Sequence, residues 1–149
     1  MKIYVGADHK GYGLKTELLE YLKKAGYDAE DLGDKQFDQD DDFPVFASAV
    51  VQKVLSSDDP EPRGILICGS GQGMAIAANR FRGIRAGLGW SVEAAKATRN
   101  DEDSNVLALP SQLFADDKTK AHVIAETWLN TPFAGAARFI RRNQELDRL

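Results

Sequence analysis

Residues 64–73 read GILICGSGQG, and their reading decides the fold. Gly64–Cys68 form a short, unbroken apolar run, the pattern of a strand buried on both faces. Glycines at alternate positions, Gly69, Gly71 and Gly73, then let the chain turn sharply. The following stretch, 72–81 (QGMAIAANRF), carries Ala75, Ala77 and Ala78 and predicts a helix. A buried strand, a glycine turn and a helix make up the first part of a βαβ unit, whose parallel strands lie beneath helices.

The same alternation continues outward. Upstream, 2–7 (KIYVGA) predicts a strand, and 10–25 places Leu14, Leu18 and Leu22 at helical spacing before Gly26. Residues 28–32 predict a weak second strand. Phe43, Phe46, Ala47, Val50, Val51 and Val54 give 43–55 the apolar stripe of a helix. Downstream, 84–88 (IRAGL) and 104–109 (SNVLAL) predict strands, 91–99 and 115–130 predict helices, and an Arg-rich helix closes the chain over 135–148. The expected fold class is α/β. It is a Rossmann-like, doubly wound, five-stranded parallel sheet with helices on both faces and a C-terminal helix, as one domain over 1–149. Ligands in such sheets bind beyond the carboxyl ends of the strands, where strand order reverses. The segments expected there are Asp8-His9, Asp34–Asp42, Cys68–Gly73, Gly89-Trp90 and Leu109-Pro110. Within the second of these, Asp38–Asp42 reads as a solvated acidic loop.

Composition narrows the function. Of the 149 residues, 43% are hydrophobic and 28% charged, and the net charge of −4 comes without a basic stripe, so nucleic acid is not an expected partner. No apolar run is long enough for a membrane span, and the N-terminus lacks the pattern of a signal peptide; a cytoplasmic protein is expected. One cysteine excludes a disulfide within the chain, and the two histidines, His9 and His122, argue against a His-rich metal centre.

The loop at 68–73 gathers backbone N–H groups at a helix start, which suits a phosphate, a carboxylate or the oxyanion of a reacting sugar. The spacing Gly-x-Gly-x-Gly is not the dinucleotide pattern. A tight turn that binds nothing is the alternative reading of the loop alone. Cys68 stands at its edge, and a thiol set against oriented N–H groups holds more of the reactive thiolate. Asp8 and His9 follow the first strand; they suit a substrate hydroxyl and a phosphate, or else a helix N-cap and a surface histidine. Arg138 and Arg142 are four apart, so they share one helix face and suit a phosphate, unless the helix is simply solvated with partners such as Glu145. His122, inside a long helix, reads as structural.

Taken together, GADHKGYGLK at 6–15, DFPVFA at 42–47, GILICGSGQGMAIAANRFRGIRA at 64–86, NVLAL at 105–109 and FAGAARFIRR at 133–142 resemble the type B ribose-5-phosphate isomerase family, which includes galactose-6-phosphate isomerase subunits. The resemblance covers nearly the whole chain. It implies a homodimer or tetramer with active sites between subunits. The implied reaction moves a proton between C1 and C2 of an open-chain sugar phosphate through a cis-enediolate, without a cofactor. Carried across, Cys68 is the base, with Ser70 and Asp8 beside it as catalytic candidates. Gly69, Gly71 and Gly73 shape the anion-stabilising loop. Asp8 contacts a substrate hydroxyl, and His9, Arg138 and Arg142 hold the phosphate, the arginines reaching into the partner's site. Asn79 is structural.

The match breaks at residues 98–105 (TRNDEDSN), where the family carries a ring-opening histidine and this chain has none. Asp101 or Asp103 is the expected substitute. Phe139 and Phe43 also stand where the family has a histidine and a tyrosine. Two other readings stay open: a module that binds a sugar phosphate without turning it over, and an enzyme that uses Cys68 as a covalent nucleophile with His9 as its base.

Overall fold

The computed structural model describes every residue, Met1–Leu149. Five strands form one parallel sheet: β1 (Lys2–Ala7), β2 (Asp28–Asp31), β3 (Arg63–Cys68), β4 (Ala86–Leu88) and β5 (Val106–Pro110). Their order across the sheet is β2-β1-β3-β5-β4. The helices are α1 (Tyr12–Lys24), α2 (Phe43–Ser56), α3 (Gln72–Ala78), α4 (Val92–Asn100), α5 (Thr119–Asn130) and α6 (Ala137–Leu146). None is long and apolar enough to cross a membrane.

The continuous apolar strands are explained by two cores, one on each face. Ile3, Val5, Ile65, Ile67, Leu107 and Leu109 point to the face covered by α1, α4 and α5, where they meet Leu18, Leu22, Ala95 and Trp128. Their neighbours in sequence, Tyr4, Leu66, Val106 and Ala108, point to the other face and meet Val50, Val54 and Met74 of α2 and α3. Alternate residues thus serve opposite cores, so neither face of β1, β3 or β5 carries a polar stripe. Trp128 is fully buried because its indole N–H finds Ser104 Oγ at 2.8 Å.

Several boundaries differ from those read in the sequence. The helix expected over 72–81 stops at Ala78, because Asn79 turns to clamp the backbone of Ala86, donating to its carbonyl at 2.9 Å and accepting from its N–H at 2.8 Å. That contact makes Asn79 structural, as expected. The strand expected over 84–88 keeps only three residues. The helix expected from 115 begins at Thr119, after a 3₁₀ turn at Ser111–Phe114; Asp117 receives the Thr119 N–H at 3.1 Å and starts it. His122 stacks on Tyr21 with ring centroids 4.5 Å apart, which suits its packing role. The tail helix is shorter than the expected 135–148.

Candidate active site

Strand order reverses between β1 and β3, which are direct neighbours with Ala7 opposite Ile67. Their carboxyl ends therefore bring Asp8-His9 and Cys68–Gly73 together, and the Asp8 N–H donates to Ile67 O at 3.3 Å. This is the crevice in which a doubly wound sheet holds its ligand.

Cys68 is the last residue of β3 and only 5% exposed. Its Sγ accepts the N–H of Gly71 at 3.2 Å. Gly71 has φ +74°, and a Cβ there would lie 2.5 Å from Leu88 Cδ1, so both conformation and space require glycine. Ser70 is exposed and receives the Gln72 N–H at 3.3 Å. The N–H groups of Gly69, Ser70 and Gly73 have no acceptor within the chain. Unpaired N–H groups around a thiol can receive negative charge that develops on a bound molecule.

Asp8 is 6% exposed, and its Oδ1 accepts the Gly11 N–H at 3.0 Å. It is not the N-cap of α1: Gly11 holds that position, and Asp8 closes the turn before it. Burial raises the Asp8 carboxyl above the ordinary carboxylate range, with the charge of Asp41 adding to the rise; the Gly11 N–H and His9 oppose it.

His9 Nδ1 lies 2.6 Å from Asp41 Oδ1, and the Asp41 side chain is only 6% exposed. The acidic stretch is therefore not wholly solvated, and this corrects the reading of Asp38–Asp42 as a solvated loop. A second carboxylate positions the segment. Asp31 and the Asp34 carbonyl grip the buried Lys15 ammonium at 2.7–2.8 Å, which fixes the chain as it leaves β2. Phe43 also reaches the site, its ring 3.0 Å from where a Cβ on Gly73 would stand. Asp41 carried no signal in sequence, since an aspartate among aspartates looks ordinary; the sequence marks Phe43 only as standing where the family has a tyrosine.

The remaining candidates sit elsewhere. Helix α6 lies across the amino ends of the strands: Arg85, just before β4, binds Asp147 at 2.8 Å, Asn143 donates to the Asp101 carbonyl at 3.4 Å, and Ala134 N–H to Asn100 O at 3.0 Å. Arg138, Arg142 and Asp101 are thus at the edge opposite Cys68, separated from it by the length of β3, about 17 Å. Arg138 and Arg142 are exposed; Glu145 pairs with Arg141, at 3.9 Å, and leaves both without a carboxylate partner. Asp103 is already committed: Arg99 holds its Oδ1 at 2.7 Å and Arg85 its Oδ2 at 3.1 Å, and its φ is +46°. Of the two expected substitutes for the missing histidine, only Asp101 is outside that network.

Comparison with known proteins agrees with this fold. The family model described as Ribose/Galactose Isomerase matches residues 3–146. The chain is 36% identical to ribose-5-phosphate isomerase B of Mycobacterium tuberculosis over 142 residues, covering 95% of this chain and 85% of that protein. It is 38% identical over 133 residues to the 4-deoxy-4-sulfo-D-erythrose isomerase of a Clostridium species, covering 89% and 81%. The crystal structure of ribose-5-phosphate isomerase B from Mycoplasma genitalium with bound ribulose-5-phosphate superposes with a TM-score of 0.91 at 36% identity, covering 99% of this chain and 94% of that one. The relatives are sugar isomerases, aldose–ketose enzymes of the intramolecular oxidoreductase class. With one fold, one glycine loop at the switch point and a match over nearly its full length, this chain belongs to the ribose/galactose isomerase family.

Proposed function

We propose that this chain interconverts an aldose phosphate and its ketose phosphate, ribose 5-phosphate and ribulose 5-phosphate or a related pentose or hexose pair, with Cys68 as the base. One observation carries the reading: at the switch point a buried thiol and three unpaired loop N–H groups stand beside Asp8 and His9. Cys68 as thiolate takes the proton from C2 of the open-chain aldose. The electron pair moves into a C1–C2 double bond, and the carbonyl oxygen becomes the oxyanion of a cis-enediolate. The loop N–H groups of Gly69, Ser70 and Gly73 receive that charge. The thiol then returns the proton to C1, while the O2 proton passes to the O1 oxyanion, leaving the ketone at C2 and a hydroxyl at C1. Asp8 holds a substrate hydroxyl, and His9, backed by Asp41, faces the phosphate.

Arg138 and Arg142 complete the phosphate site from a second copy of the chain. Within one chain they lie on the wrong edge of the sheet, so a homodimer or a tetramer is the working unit. Asp101 comes to the partner's site on the same edge and assists ring opening. The relatives' substrates share a short carbon chain with a terminal anion, which agrees with an anion held by His9 and two arginines.

The test is incubation of the purified protein with a panel of pentose and hexose phosphates in deuterated water, followed by proton NMR. Conversion of one sugar with deuterium entering at the exchanged carbon supports the reading. Tight binding of a sugar phosphate with no exchange would replace the enzyme by a binding module. Asp101→Asn is expected to slow turnover of ribose 5-phosphate, a closed ring, on the order of 10²-fold. Ribulose 5-phosphate, which stays open, should be much less affected. Equal rates on the closed ring by both proteins would remove Asp101 from the mechanism.

Asp8 gives a pH dependence. Its raised pKa means that the folded protein holds this proton more tightly than the unfolded chain does, so Asp8 lowers stability near neutrality and ceases to do so as pH falls through its folded value. If the carboxylate is the working form, the acid limb of kcat/KM lies above the ordinary value of about 3.9. Asp8→Asn should remove that limb, lower the rate and raise the thermal midpoint at pH 7. A limb unchanged in Asp8→Asn would assign it to another group.

A further inference from the structure

We propose that Lys10 is a specificity-determining residue: its ammonium, with the side-chain amide of Gln112 beside it, takes the substrate's terminal phosphate from within the same chain. This role presupposes the isomerase reading of the site. A Cβ on Gly69 would lie 2.9 Å from Lys10 Cδ and 3.2 Å from Gln112 Nε2. The two side chains therefore lie against the glycine loop itself, in the space that a side chain at residue 69 would fill. Three segments are tied together there. A Cβ on Gly11 would collide with the Ile67 carbonyl, so the turn Asp8–Gly11 packs directly on the end of β3. Ser111 Oγ donates to the Lys10 carbonyl at 2.9 Å, and the Gln112 N–H to the Gly69 carbonyl at 3.0 Å. These bonds fix the backbone of residues 10 and 112 relative to the loop.

Charge makes this wall of the crevice matter. Asp8 is buried beside the loop, and the Asp41 carboxylate is buried against His9. Both oppose the entry of an anion. The nearby cations are already matched: His9 to Asp41, Lys15 and Lys35 to Asp31, and Lys118 to Glu17. Lys10 has no carboxylate partner, and its ammonium stands one carbon beyond a Cδ that touches the loop. The stem lies along the protein while the exposed head stays in water until an anion arrives.

An ammonium is a compact charge with three rotatable donors, which suits the oxygens of a terminal phosphate. Gln112 adds a neutral amide donor, which strengthens the hydrogen bonding without adding charge. The terminal phosphate keeps its charge while the proton moves between C1 and C2. Lys10 therefore binds it equally well in the ground state and in the transition state. Such uniform binding lowers KM and leaves kcat unchanged, unlike the loop N–H groups, which meet charge that develops only during the reaction.

The test is steady-state kinetics on ribose 5-phosphate, or on the sugar phosphate converted in its place, with inorganic phosphate as a competitive inhibitor. Lys10→Met and Lys10→Arg run beside the wild type. Methionine keeps an unbranched stem and removes the charge. Lys10→Met should raise KM and the inhibition constant of inorganic phosphate together, each about tenfold, the scale of one charged hydrogen bond, with kcat held within about threefold. Lys10→Arg should restore most of the loss, and Gln112→Ala should raise both constants by less than Lys10→Met. Lys10 is exposed, so the melting midpoint should not move. Unchanged KM and inhibition constant in Lys10→Met would overturn the role. A fall in kcat at constant KM would overturn it too, by placing the ammonium on an enediolate oxygen. Calorimetry with inorganic phosphate reads the same tenfold loss without turnover. A protein that converts no sugar phosphate would therefore end the isomerase reading while the part played by Lys10 in holding phosphate is still measured.

Discussion

Cys68→Ala is expected to lower kcat/KM by about 10²- to 10⁴-fold, the range for loss of a positioned base. Deuterium uptake into the sugar should fall with it. The fold should survive, because the change removes one sulfur atom whose protein contact of note is the Gly71 N–H, and the strand, glycine turn and α3 remain. Circular dichroism and the melting midpoint check this. Cys68→Ser sharpens the test: the hydroxyl can still accept from Gly71, yet it is a far poorer base than a thiolate, so the rate should fall although the geometry stays. Exchange that persists within tenfold in both variants would leave Asp8 as the remaining buried acid–base group beside the loop, and would end the role assigned to the thiol. A stable adduct on Cys68 trapped from the sugar would instead favour a covalent nucleophile.

The second large effect concerns assembly. Arg138→Ala/Arg142→Ala is expected to lose about 10²-fold or more in kcat/KM through the phosphate site, from charged hydrogen bonds that substrate can no longer make. Mixed with Cys68→Ala under conditions that exchange subunits, this inactive protein should regain activity. In a mixed dimer one site pairs an intact Cys68 with intact arginines from the partner, and the other site lacks both. Random exchange of twofold dimers then gives about one quarter of the wild-type rate. If the arginines acted in their own subunit, no mixture would regain any activity. The geometry favours rescue, since β3 separates the two groups by its whole length and neither end of it is free to move: Arg63–Cys68 is buried throughout.

Much of the fold was legible because its causes are local. The apolar run of β3, the leucines of α1 and the valines of α2 each specify an element without reference to the rest, and the alternation of strands and helices leaves few topologies. Cys68, Ser70 and the glycines were legible for the same reason: a strand end, a turn and a helix start lie within six residues. The errors were also local in kind. Helix α3 ends early because Asn79 prefers the backbone of β4, and α5 starts late because Asp117 closes a turn; each depends on a partner that the pattern does not carry.

The sequence by itself determined the doubly wound sheet, the glycine loop with its thiol, and membership of a family, since these follow from periodicity, glycine placement and long contiguous motifs. Only the tertiary structure decided which polar residues meet. Asp41 reaches His9 across 32 positions, and Asp103 joins Arg85 to Arg99. It also decided that Arg138 and Arg142 stand at the opposite edge from Cys68. The physical reason is that apolar burial depends on a residue's own repeat along the chain, whereas an ion pair or a site depends on distances between segments that become neighbours only after the sheet has formed.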